Sequence, residues 1–99
     1  MDNIDFLNDK LEVAEFCRQN NIRYLALFGS FSRGEANANS DLDLLVDFVD
    51  TPGFFDFLKI EKKLSDRLKK KVDLVTVNSL SRHIRPYIEK DIKNLYEKS

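Results

Sequence analysis

Phe28-Gly29-Ser30-Phe31-Ser32-Arg33-Gly34, followed after Glu35–Asn39 by Ser40-Asp41-Leu42-Asp43-Leu44-Leu45-Val46, is the stretch on which the reading of this chain turns. Upstream of it, Ile22 to Phe28 is a short apolar run that stops at Gly29. Seven residues ending at a glycine suit a buried strand better than a helix. Downstream, Leu42, Leu44, Leu45, Val46, Phe48 and Val49 form a second strand, interrupted by Asp41, Asp43 and Asp47. Between them, Ser30 to Glu35 is long enough for one or two helical turns, and Ala36 to Ser40 reads as a loop.

Working outward, Asp5 to Gln19 carries Leu7, Leu11, Ala14 and Cys17 three or four apart among polar residues. This spacing predicts an amphipathic helix, with Asn20-Asn21 as its stop. Asp50-Thr51-Pro52-Gly53 is a turn. Phe54 to Lys70 reads as a helix with Phe57, Ile60, Leu64 and Leu68 on its apolar stripe and Glu61, Lys62, Lys63 and Arg67 opposite. Val72 to Val77 is a third strand. Ser81 to Asp91 is predicted helical, with Pro86 tolerated in its first turn. The pattern leaves Asn94-Leu95-Tyr96 open, as a helix continuation or a short edge strand. The expected order is α-β-α-β-α-β-α, an α/β or α+β domain.

Ninety-nine residues suit a single domain spanning 1–99. A composition of 42% hydrophobic and 33% charged residues indicates a globular chain rather than a disordered one. A net charge of -1 lacks the basic excess of a dedicated nucleic-acid binder, so nucleic acid is not an expected partner. The one cysteine, Cys17, has no partner for a disulfide, which fits a reducing cytoplasm. Met1–Asp5 is acidic with no apolar segment behind it, and no apolar run reaches the roughly 20 residues of a membrane helix. A soluble cytoplasmic protein is expected.

Asp41 and Asp43 stand two apart on a predicted strand, so their side chains share one face about 6.5–7 Å apart. Two carboxylates there repel unless a cation sits between them. Alternation on a solvated sheet face accounts for the pair equally well. Hard oxygen ligands suit Mg²⁺ or Mn²⁺, and two such ions about 3.5–4 Å apart would grip both oxygens of an in-line phosphoryl transfer. Asp73 is a third carboxylate inside the apolar run Val72–Val77, placed to complete such a site from a neighbouring strand. Gly29-Ser30, at the start of a helical turn, offers backbone N–H groups and a hydroxyl to phosphate oxygens. Arg33 could contact a phosphate or pin the loop.

Together, G-S-F-S-R-G, S-D-L-D-L-L-V and a later isolated aspartate resemble the minimal nucleotidyltransferases (MNT) of the DNA polymerase β superfamily. The matching positions are Gly29, Ser30, Arg33, Gly34, Ser40, Asp41, Asp43 and Asp73, and the resemblance covers nearly the whole chain. It implies a nucleotidyltransferase core, a small mixed sheet with packed helices. It implies two Mg²⁺ ions (Mn²⁺ as the alternative) on Asp41, Asp43 and Asp73. It implies phosphate binding by Gly29 and Ser30, with Arg33 and Ser40 alongside. ATP or another nucleoside triphosphate is the implied donor. The implied acceptor is a tyrosine of a HEPN-domain toxin, which would make this chain the antitoxin of the pair. A non-catalytic module that neutralises its partner by occlusion is the competing reading, and nucleotide addition to RNA a weaker third. His83 reads as a surface residue, Lys69-Lys70-Lys71 as a solvated helix end, and Phe57 as core, with Phe54 or Phe55 exposed.

Overall fold

A computed structural model describes residues 4–29, 41–80, 82–83 and 85–98. The predicted helical turn Ser30–Glu35 and loop Ala36–Ser40 lie outside the described residues. A 3₁₀ turn, Ile4–Asn8, leads into α1 (Lys10–Gln19), followed by β1 (Ile22–Phe28) and β2 (Leu42–Phe48). Next come α2 (Phe54–Leu68), β3 (Val72–Thr76), a 3₁₀ turn over Val77–Ser79, α3 (Arg85–Glu89) and β4 (Lys93–Glu97). The strands form one mixed sheet in the order β3-β2-β1-β4. β2 runs antiparallel to β1 and parallel to β3, with α2 as the crossover, and β4 runs antiparallel to β1. This is the expected α/β class.

The sheet separates two chemistries. Ile22, Leu25 and Leu27 of β1, Leu42, Leu44, Val46 and Phe48 of β2, and Val72 and Leu74 of β3 face the helices. There they pack on Val13, Phe16 and Cys17 of α1 and on Ile60, Leu64 and Leu68 of α2. Side chains alternate along a strand, so Asp43, Leu45 and Asp47 of β2 and Asp73 of β3 lie on the other face. Cys17 is fully enclosed, and burial pushes its thiol up to about 12, so it serves as a small core residue without nucleophilic character.

Three details differ from the sequence pattern, and a fourth settles what it left open. α1 starts later than expected, because the Asp9 carboxylate accepts the N–H groups of Leu11 and Glu12, each at 3.1 Å, and caps the helix there. Phe6 and Leu7 therefore reach the core from the 3₁₀ turn, the stripe becomes Val13, Phe16 and Cys17, and Leu11 is 83% exposed. Of the described residues in the last predicted helix, Ser81–Asp91, only Arg85–Glu89 are helical, and exposed His83 sits in a turn. The C-terminal segment left open by the pattern is a strand, β4, recruited by the free edge of β1. A side-chain pattern alone does not carry that edge's demand for backbone partners.

α2 ends as its pattern predicts, but on Lys69 at φ 51°, a left-handed position that glycine fills without cost. Lys69→Gly is expected to stabilise the protein by about 0.5–1 kcal/mol, the left-handed strain removed less the added chain entropy. A rise in the urea midpoint with an unchanged slope would report this, and a fall would rule it out.

Candidate active site

Three adjacent strands bring the predicted residues into one row. Phe28 pairs with Asp43 across β1 and β2, and Asp43 pairs with Asp73 across β2 and β3. Neighbouring strands lie about 4.8 Å apart, so Asp43 and Asp73 stand side by side on the face away from the helices. Asp41 precedes β2 on the line of Asp43. The sequence placed these carboxylates on strands, and the register makes Asp43 and Asp73 neighbours. Asp41 and Asp73 are exposed and Asp43 is half-buried.

Gly29 ends β1 with φ +75° and lies directly against the Asp43 side chain. A β-carbon built on it would collide with Asp43 Oδ2 and stand 3.1 Å from Asp43 Cγ. The glycine thus has a use apart from the phosphate approach expected of it. Its bare Cα is the seat of the central carboxylate. Ser30, Arg33, Gly34 and Ser40 lie outside the described residues, so their predicted contacts are not part of this geometry.

Electrostatics sort the other charged groups. Asp41 Oδ2 is 3.8 Å from Lys71 Nζ, an exposed pair of small energetic weight. The basic run Lys69–Lys71 therefore reaches the site through its last member. Asp47 shares the face of Asp43, as alternation predicts, but Arg23 occupies it. Arg23 Nε and Nη2 each lie 2.7 Å from Asp47 Oδ2, and Asp47 Oδ1 accepts the Phe48 N–H. Neither residue signals the pair in sequence, because β2 carries Asp43 as well as Asp47 and only the register of β1 on β2 singles out Asp47 for Arg23. Beyond it, a cleft of about 480 Å³ continues along the same face, lined by Arg23, Tyr24, Leu45, Val77 and Arg85 among others. The Tyr24 hydroxyl donates to Asn94 Oδ1 at 2.6 Å, tying β4 to this side of the sheet.

Among the described residues, no three acidic, histidine or cysteine side chains lie close enough to enclose a metal ion on their own. Open carboxylate sets that leave positions for phosphate oxygens and water are the usual habit of Mg²⁺. The donors at this edge are hard oxygens only, and they fit such an ion.

A glycine-ended strand thus seats one carboxylate on a mixed sheet, with a second carboxylate beside it and a third ahead of it. The chain belongs to the family described as Polymerase beta, Nucleotidyltransferase, which matches residues 12–99. It is 42% identical over 72 residues to MJ0128 of Methanocaldococcus jannaschii, covering 73% of this chain and 70% of that one. It is 38% identical over 71 residues to the protein adenylyltransferase MntA of Thermococcus cleftensis, covering 72% of each chain. Among solved structures, a toxin-antitoxin crystal structure with AMP-PNP superimposes with a TM-score of 0.75 at 28% identity, over 92% of this chain and 75% of that one. A tri-AMPylated HEPN toxin of Shewanella oneidensis in complex with MNT antitoxin matches with a TM-score of 0.66 at 25% identity, over 90% and 70%. By family the chain is a nucleotidyltransferase, and the relatives it resembles include protein adenylyltransferases. Among the described residues, no helix is long and apolar enough to cross a membrane.

Proposed function

We propose that this chain transfers AMP from ATP to a tyrosine hydroxyl of a HEPN-domain toxin and thereby acts as its antitoxin. The observation that carries the reading is the row Gly29–Asp43–Asp73 with Asp41 ahead of it, joined to the likeness to MNT and MntA proteins. Asp41 and Asp43 would hold two Mg²⁺ ions together with the triphosphate, and Asp73 would share one of them. When bound, such ions offset charge on the phosphate oxygens and favour departure of pyrophosphate. The acceptor oxygen bonds to the α-phosphorus, the bond from that phosphorus to the β-phosphate bridging oxygen breaks, and the hydroxyl proton passes to Asp73. Asp73 is exposed at the sheet margin, where a protein hydroxyl can approach it. Gly29 and Ser30 would cradle the β- and γ-phosphates, and Arg33 and Ser40 are assigned to phosphate contact on the family motif.

Incubation with α-labelled ATP, Mg²⁺ and a HEPN toxin tests this. Label is expected on a toxin tyrosine with the native protein and on none with Asp41→Ala. A toxin neutralised equally well by both proteins, with no label at any metal concentration, would show that occlusion alone is the mechanism.

A further inference from the structure

β3 is an edge strand, yet its outer side is not bare. Successive residues of a strand direct their backbone groups to opposite sides. The Lys71 carbonyl accepts the Leu42 N–H at 2.9 Å, so the odd-numbered residues of this stretch face β2 and Val72 and Leu74 face outward. Helix α2 meets the donors of these two residues. The Val72 N–H donates to Ser65 Oγ at 3.1 Å, and the Leu74 N–H donates to Glu61 Oε2 at 2.9 Å. Glu61 and Ser65 are four apart, one above the other on a single helix face. The residue between the two captured donors is Asp73.

We propose that Glu61 and Ser65 are positioning residues for the transferase reaction, acting through Asp73. This inference rests on the role given to Asp73 in the proposed function. Asp43 and Asp73 are directly paired like charges, an arrangement that drives strands apart. Among the described residues, β3 has no second strand to resist the displacement. Two bonds on either side of Asp73, one of them to a carboxylate and so charge-assisted, clamp the backbone from which its side chain projects. A clamp on the backbone leaves the Asp73 carboxylate itself clear for the acceptor and the metal.

Glu61→Leu keeps the bulk of the side chain and removes the acceptor, while Glu61→Gln keeps an acceptor oxygen. Outer partners of metal ligands are worth about 10–100-fold. Glu61→Leu is therefore expected to lower kcat about 10–100-fold with KM for ATP little changed, since the phosphate-binding turn is on β1. Its Leu74 amide should exchange at least about 10-fold faster by NMR, and Mn²⁺ should bind the nucleotide-free protein more weakly by calorimetry. Glu61→Gln should restore all three readouts to within about threefold, and Ser65→Ala should shift them in the Glu61→Leu direction by less. Wild-type kcat and Mn²⁺ affinity in both folded Glu61→Leu and folded Ser65→Ala overturns the positioning role, as does a Glu61→Gln protein as impaired as Glu61→Leu. Full transfer by Asp73→Ala overturns instead the reading of Asp73, and the inference with it.

Discussion

Alanine at Gly29 is expected to lower both activity and stability, for separable reasons. The positive φ of 75° costs an L-residue about 1–2 kcal/mol, wherever its side chain points. The new β-carbon also overlaps Asp43 Oδ2, and relieving that overlap costs about 1–3 kcal/mol by analogy with overpacked cores. Displacing the central carboxylate by about 1 Å is worth about 100-fold in rate. Asp43→Ala removes the obstacle. In that background Gly29→Ala should cost the backbone strain and only a close contact with the remaining β-carbon, leaving a coupling of about 1–3 kcal/mol between the two positions. Denaturant unfolding of the four proteins measures it. Equal costs in both backgrounds would mean that the glycine is kept for its φ alone.

The second large effect contrasts two neighbours in β2. Leu44 is fully buried on the helix side, and Asp43 lies on the site face. Leu44→Ala is expected to cost about 2–5 kcal/mol, a large part of the roughly 5–15 kcal/mol that holds a domain together. Its Tm should fall by about 10–30 °C, with transfer per folded molecule retained at low temperature. Asp43→Asn should do the reverse. Transfer should fall by more than about 100-fold, since even outer partners of metal ligands are worth about 10–100-fold. The Tm should hold or rise, because one charge leaves a row of like charges. Calorimetry with a single-turnover label assay on both variants decides the matter. An Asp43→Asn protein that melts early, or a Leu44→Ala protein inactive while folded, would contradict the division between the two faces of the sheet.

That division was largely legible beforehand. Strand-length apolar runs ending at Gly29 and starting at Asp41, and the stripe Phe57–Leu68, marked two strands and a helix with little ambiguity. α1 was harder to phase, because a capping carboxylate at Asp9 outweighs a plausible stripe through Leu11. The C-terminal segment was undecidable from its pattern, since β4 forms to satisfy donors and acceptors on β1 some 70 residues away in sequence. Arg23 with Asp47, and Glu61 with Leu74, are likewise distant pairs between residues that look ordinary where they stand.

The candidate chemistry is written in local sequence. Residue types and short spacings specify which oxygens are available and on which side of a strand they project, because strand periodicity is local. The arrangement of those oxygens comes from the packing of distant segments. Register set Asp73 beside Asp43, the bare Cα of Gly29 became the seat of a carboxylate, and α2 closed the edge of β3. Each of these depends on backbone hydrogen bonding and excluded volume between segments far apart in the chain, and no local pattern encodes them.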